Sequence, residues 1–335
     1  KNMLDKKSRE ILTDKKIVIT GGTGLIGRQI VDILSDLGCE VTSVSLDNLK
    51  LNSNCNYIYG DLTDLNFCKE ITKGFDFAIH TAGIKGSVDV TNKQPASFFV
   101  PMILMNTNFL EACRINNLKK TVFTSSIGAY SSNEILIEDD DFDTKPPMDS
   151  YPGWAKRMAE LQIKAYKVQY KINSFAIVRP ANVYGPGDNF DPNNAMVIPS
   201  LINKIISRDN PNNPVQIWGD GSAIRDFIYS KDVAYGIILA LLKNKSSSYY
   251  NLGSGTSISI KQLVETLNNI IPFNYNFDTS KPSGAQKRIM DISKSTKEIG
   301  FHPETNLSDG LRVTIDWFKN NKNDYLNKQN YFLNE

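Results

Sequence analysis

Through the first 180 residues, short apolar runs rich in β-branched residues alternate with stretches whose apolar positions recur every three to four residues. Residues 16–20 form the first run, which reads as a strand buried on both faces. Ile26, Ile30, Ile33, Leu34 and Leu37 follow at helical spacing and stop at Gly38. Residues 40–46, 57–64, 75–80, 121–125 and 174–179 supply further strands, 57–64 running into a helix cap. Helices are expected over 96–116 and 153–170. Strands alternating with helices predict an α/β chain built on a doubly wound parallel sheet. Residues 1–14 carry mixed charge around Leu4, Ile11 and Leu12 and read as a short helix or a frayed end.

After Pro180 the pattern changes. Residues 181–194 are rich in Asn, Gly, Pro and Asp and read as loop. An amphipathic stretch at 197–206 and a strand at 215–218 follow. Further helix and strand signals fall at 231–242, 259–270 and 307–319. These short pieces predict a smaller C-terminal α/β lobe over 181–335, beside a first domain over 1–180, with some segments returning to the main sheet.

The chemistry begins at the turn after the first strand, Gly21-Gly22-Thr23-Gly24-Leu25-Ile26-Gly27. Gly21 permits a tight turn, Gly24 lets backbone approach a pyrophosphate, and Gly27 lets helix and strand pack closely. The helix N-terminus that follows offers free N–H groups and partial positive charge to phosphates. Strand before and helix after turn a bare glycine triplet into a dinucleotide site. Asp47, at the end of the second strand, is the candidate for the adenosine ribose, so NAD is expected. Arg28 and Lys50 lie near enough in sequence to keep NADP open. Asp61, at the end of the third strand, is a candidate for the adenine edge or only a helix cap, and Leu62 beside it is a candidate for cofactor binding. Thr81 and Ala82 begin a small-residue segment that can lie against the cofactor. His80 reads as a group hydrogen-bonded inside its strand end.

Composition adds exclusions. The 335 residues are 41% hydrophobic and 22% charged with a net charge of +2, which argues against nucleic acid or an anionic membrane as partner. No apolar run is long enough to cross a bilayer. Cys39, Cys55, Cys68 and Cys113 show no metal-ligand spacing and read as reduced thiols of a cytoplasmic protein.

Several motifs, taken in order, resemble an extended short-chain dehydrogenase/reductase, the family of nucleotide-sugar epimerases, dehydratases and reductases. They are the glycine turn, Gly60-Asp61-Leu62, the Ser-containing strand end at 124–130, Trp154-Ala155-Lys156, the run 179–186 from Arg179 to Pro186, and Arg225-Asp226-Phe227-Ile228. The resemblance implies a Rossmann fold, a nicotinamide cofactor and a nucleotide-sugar substrate. It implies that Ser126 and Lys156 are catalytic, Lys156 also holding the nicotinamide ribose. The family's catalytic tyrosine lies four residues before that lysine; here the position is Pro152, and Tyr151 stands one place earlier. Tyr151 is the expected base only if it precedes the helix with non-helical dihedrals. Replacement by another group, or weak proton transfer, are the alternatives. Ser126, Asn182, Val197, Lys204, Trp218, Arg225 and Lys281 are the substrate residues that the resemblance implies, with Arg288 beside them. A guanidinium at Arg225 suits a pyrophosphate by bidentate geometry.

Residues 184–199 and 277–291 look most like the GDP-L-fucose synthase branch. That branch places Cys two residues after the serine and His before Val-Ile-Pro; this chain has Gly128 and Met196. Neither can transfer a proton, so the branch's double inversion is not expected. Hydride chemistry on a GDP-linked sugar remains, as a 4-keto reductase or a dehydrogenase/4-epimerase; the alternative is a non-catalytic Rossmann protein that binds a dinucleotide or nucleotide sugar. The family also implies a homodimer through the two long helices, with Phe98, Phe99, Ile103, Leu161 and Tyr166 as its apolar area.

Overall fold

The computed structural model describes residues 3–84, 86–138, 145–191 and 194–325. Of the acidic stretch 138–143, only Glu138 lies within them. The first half runs α1 (Lys6–Leu12), β1 (Lys16–Thr20), α2 (Gly27–Asp36), β2 (Glu40–Ser45), β3 (Cys55–Tyr59), α3 (Leu65–Thr72), β4 (Phe77–His80), α4 (Val88–Lys93), α5 (Pro95–Ile115), β5 (Lys120–Thr124), β6 (Ile135–Leu136), α6 (Ser150–Tyr170) and β7 (Phe175–Pro180). The second half runs β8 (Asn182–Tyr184), α7 (Val197–Ser207), β9 (Val215–Trp218), β10 (Ile224–Arg225), β11 (Phe227–Tyr229), α8 (Ser230–Lys243), β12 (Tyr249–Leu252) and β13 (Ile258–Ser259). It closes with α9 (Ile260–Ile270), β14 (Tyr275–Asp278), β15 (Lys287–Met290), α10 (Ser293–Ile299) and α11 (Leu307–Tyr325).

Seven parallel strands form the main sheet in the order β12-β7-β5-β4-β1-β2-β3. The order turns back at β1, which pairs β2 on one side and β4 on the other. In such sheets the crevice at the carboxyl ends of those strands is where ligands bind. Side chains alternate across a strand, so β1 sends Ile17 and Ile19 into one core and Val18 into the other. The first core is closed by Ile30 and Leu34 of α2, Leu12 of α1 and Val233, Ile237 and Leu241 of α8. The second is closed by Met105 and Phe109 of α5, Cys68 of α3 and Ala155, Ala159 and Ile163 of α6. A third core joins α7, β9, α9 and α11 through Ile202, Ile217, Leu263 and Ile315.

Two expectations need correction. Helix α6 begins at Ser150, not near Gly153, because Pro152 sits inside its first turn. A proline is tolerated there, since the first backbone N–H groups of a helix have no acceptor in any case. Segment 181–194 is not all loop: β8 pairs in parallel with β11. Among the described residues, no helix is long and apolar enough to cross a membrane.

Candidate active site

The glycine turn lies between the end of β1 and the start of α2. Gly21 has φ +70°, and a Cβ on it would lie 2.9 Å from the Ala82 backbone. A Cβ on Gly27 would lie 2.0 Å from the Gly21 carbonyl. Both positions are closed by the protein's own backbone. Gly24 differs, since its added Cβ would meet only the Gly21 carbonyl at 3.3 Å and otherwise open space. The N–H groups of Leu25 and Ile26 have no acceptor among the described residues. An open glycine flanked by unpaired donors at a helix N-terminus fits a pyrophosphate.

Asp47 stands beside this turn. It accepts from Thr23 Oγ1 at 2.7 Å and from the Leu49 N–H at 3.1 Å. Arg28 is turned inward, donating to the Thr23 and Gly24 carbonyls and lying 5.4 Å from the Trp317 ring centre. Asp61 is exposed and accepts from the Thr63 N–H. The Leu62 side chain is buried in the second core, and its carbonyl is bonded by Asn108. What Leu62 can offer a ligand is its N–H, which no described group accepts from. Asp64 caps α3.

At the end of β4, the N–H groups of Thr81 and Ala82 both donate to Thr20 Oγ1 at 3.1 Å. Thr20 therefore gives its own proton to His80 Nδ1, 2.7 Å away. His80 Nε2–H then donates to Asn106 Oδ1 at 2.8 Å. Burial pushes the His80 pKa down to about 3, so the ring is neutral and holds the strand end in place. Sequence reasoning named His80 but not its partners, because they are 60 and 26 residues away.

Ser126 follows β5 and accepts from the Gly128 N–H at 3.0 Å. Lys156, on α6, donates through Nζ to the Thr124 carbonyl at 2.8 Å. A Cβ on Gly83 would approach nothing closer than that ammonium, at 3.9 Å. Gly83 thus borders a second open space, at the crevice end of β4.

Tyr151 does not join this group. It lies in the first turn of α6, five residues from Lys156, or about 140° around the helix. It is 44% exposed and packs edge-on against Phe99 of α5, with ring centres 6.0 Å apart. Its helical conformation removes the condition under which it was expected to act as base.

In the C-terminal half, Arg225 and Arg288, both expected at the substrate, stand in register on β10 and β15. Arg225 donates to the Ile224 and Ser283 carbonyls, and burial, then Arg288, lowers its pKa. Trp218 is exposed at the end of β9, with Lys281 Nζ 5.8 Å from its ring centre. The Asn182 amide donates to the Asp226 carbonyl. Val197 and Lys204 lie on α7; Val197 is exposed, and burial pushes the Lys204 pKa down. The structure gathers Arg225, Arg288, Trp218 and Lys281 around the 279–288 segment, while no described bond ties Val197 or Lys204 to them. Sequence reasoning gave no role to Asp149, which pairs with Arg288 at 3.6 Å.

Residues 17–253 match the family model described as NAD dependent epimerase/dehydratase family. The chain is 30% identical to GDP-L-fucose synthase of Sinorhizobium fredii over 319 residues, covering 93% of this chain and 98% of that one. It is 29% identical to GDP-L-colitose synthase of Yersinia pseudotuberculosis, covering 92% and 99%. Among solved structures, UDP-glucose 4-epimerase of Thermotoga maritima with UDP-glucose superposes with a TM-score of 0.80 at 26% identity, covering 91% and 99%.

Proposed function

The chain belongs to the NAD dependent epimerase/dehydratase family, and from that premise we propose that it transfers hydride at a carbon of a GDP-linked sugar. The reaction is 4-keto reduction or 4-epimerisation, with NAD as cofactor. One juxtaposition carries the reading: Lys156, held on the Thr124 carbonyl, borders the open space at Gly83, at the end of the same crevice that the glycine turn opens.

The residues divide the work. The Leu25 and Ile26 N–H groups receive the pyrophosphate, the Asp47 carboxylate the adenosine diol, and Asp61 with the Leu62 N–H the adenine edge. A carboxylate at Asp47, with Arg28 occupied by backbone carbonyls, favours a free 2′-hydroxyl over a 2′-phosphate. Lys156 and Thr81 face the nicotinamide half; Ser126 orients the sugar hydroxyl. Bound there, the dinucleotide supplies the hydride acceptor or donor. Arg225 and Arg288 take the sugar-nucleotide phosphates, and Trp218 the base. The similar GDP-L-fucose synthase and GDP-L-colitose synthase support the choice of nucleotide. Residues 1–180 are the cofactor half and 181–335 the substrate half, and the chain acts as a homodimer.

The dimer face differs from the expected residues. Phe98 and Tyr166 are buried within the subunit. The exposed apolar stripe consists of Val100 and Leu104 on α5 with Tyr151, Trp154, Met158, Leu161 and Val168 on α6. Those α6 residues recur at intervals of three, four, three and seven positions, the spacing of a helix-packing seam.

The displaced tyrosine favours a second reading, ligand binding without turnover. One experiment separates the two. NAD and NADP are titrated calorimetrically, and a GDP-4-keto sugar with reduced cofactor, then UDP-glucose with oxidised cofactor, are assayed for turnover. Tight NAD binding with turnover of the GDP-sugar is expected. Binding without turnover of either sugar selects the second reading.

A further inference from the structure

Gly128 lies two residues beyond Ser126, and the place where a side chain would stand there is filled from elsewhere. A Cβ on Gly128 would lie 2.1 Å from Oδ2 and 2.6 Å from Cγ of Asp149. Asp149 occupies the position just before α6, where an aspartate ordinarily accepts from a first-turn N–H and stabilises the helix by about 1 kcal/mol. This aspartate makes no such bond. Its carboxylate is turned over Gly128 and toward β15, with Oδ1 3.6 Å from Nη1 of Arg288. The backbone fixes that pose: the Asp149 N–H donates to the Gly128 carbonyl at 3.2 Å, and the Gly153 N–H to the Asp149 carbonyl at 2.6 Å. The side chain is 39% exposed, so a ligand can reach it.

We propose that Asp149 is the group that exchanges a proton with the bound sugar. The assignment rests on the hydride-transfer reading above, because oxidising a carbinol requires a proton acceptor and reducing a ketone requires a donor. As the carbinol is oxidised, its O–H proton passes to a carboxylate oxygen of Asp149. The C–H electron pair leaves as hydride for the oxidised nicotinamide. The products are a carbonyl, a reduced nicotinamide and a neutral carboxyl, and reduction runs the same transfers backward.

Other ionisable groups near the end of β5 are committed, Lys156 among them through its bond to the Thr124 carbonyl. Tyr130 is buried and bonded to Asn251 and Arg179. Glu138 is buried on the Asn251 N–H. His80 is bonded through both nitrogens. Tyr151 faces α5. The charge within ion-pair distance of Asp149 among the described residues is Arg288 on β15, with Arg225 beside it in register on β10. The first turn of α6 contributes no acid, and the 126–129 turn presents only the Ser126 hydroxyl.

The test compares wild type with Asp149→Asn and Asp149→Glu in the full chain. NAD and GDP are titrated calorimetrically, and turnover of a GDP-4-keto sugar is followed against pH. Asp149→Asn should bind NAD within about twofold of wild type, and GDP at least as tightly because Arg288 loses its carboxylate partner, yet turn over about 10²–10⁴ times more slowly, the scale for a lost acid–base group. The wild-type profile should show a limb from the carboxyl group that Asp149→Asn lacks, and Asp149→Glu should recover part of the rate. An active Asp149→Asn variant with an unchanged limb overturns the assignment and leaves hydride transfer standing. Loss of ligand binding in parallel with turnover makes Asp149 structural and also overturns it. A wild type that turns nothing over removes the hydride reading and this assignment with it.

Discussion

Arg225 and Arg288 lie in register on neighbouring parallel strands; Arg288 pairs with Asp149 at 3.6 Å, while Arg225 donates to the Ile224 and Ser283 carbonyls. Arg288 Nε is buried with no hydrogen-bond partner among the described residues. Two guanidinium groups in register, with a carboxylate 3.6 Å from one of them, leave net positive charge that suits a further anion. On the proposed reading that anion is the diphosphate of the sugar nucleotide, whose oxygens suit a guanidinium fork. Arg225→Ala should therefore weaken binding of a GDP-sugar by about 2–4 kcal/mol, the scale for truncating one partner of a desolvated charge pair. NAD binding should change little. A parallel loss of both affinities in calorimetry would make Arg225 a structural residue.

Asp226, next in the chain, carries a pH dependence of stability. It is 1% exposed and accepts from the Ser254 N–H at 2.9 Å. Burial raises its pKa to about 6, the Ser254 bonds only partly opposing the shift. The folded form then holds a proton that the unfolded chain releases near pH 4. Its contribution is complete below that pH and is lost as pH rises through 6, by about 3 kcal/mol in all. Asp226→Asn should remove this slope. Urea unfolding of both proteins at pH 4, 5 and 7 checks it: the variant should gain on wild type as pH rises, and parallel curves would contradict the burial argument.

The pair Arg179–Glu160 ties β7 to α6 beneath the site. Its two 2.9 Å bonds are bidentate, and the side chains are 1% and 4% exposed. Glu160→Ala leaves a buried guanidinium without its counterion, which costs about 3–5 kcal/mol. Denaturant midpoints should drop accordingly. A loss below about 1 kcal/mol would place the pair in water.

Oligomeric state tests the α5–α6 stripe. Leu161 is 55% exposed at its centre. The wild type should sediment as a dimer at micromolar concentration, and Leu161→Glu as a folded monomer. A monomeric wild type would mean that the stripe serves some other contact.

The sheet was legible because buried parallel strands leave unbroken apolar runs and their helices leave a period near 3.6. Val18, Ala78 and Phe123 needed no knowledge of partners to be placed. The small sheets were illegible for the opposite reason. β10 and β13 have two residues each, too few for any period, and their pairing rests on contacts dozens of residues apart. At the site, the glycine turn and Lys156 could be read locally. Tyr151 could not, because the start of α6 depends on how a proline fits a first turn. Asp149 looks in sequence like an ordinary helix cap, and only the distant Gly128 and Arg288 reveal that its carboxylate is turned elsewhere. Given the helical Tyr151, Tyr151→Phe should leave turnover of the GDP-sugar within about twofold of wild type.

The most direct measurement of hydride transfer follows the isotope itself. The protein is incubated with NADH deuterated at the nicotinamide C4 and a GDP-4-keto sugar, and the recovered sugar is examined by mass spectrometry and NMR. The account predicts deuterium bonded to carbon at the former ketone, with stoichiometric NAD. Unlabelled, unreduced sugar recovered from protein shown by calorimetry to bind both ligands would contradict it.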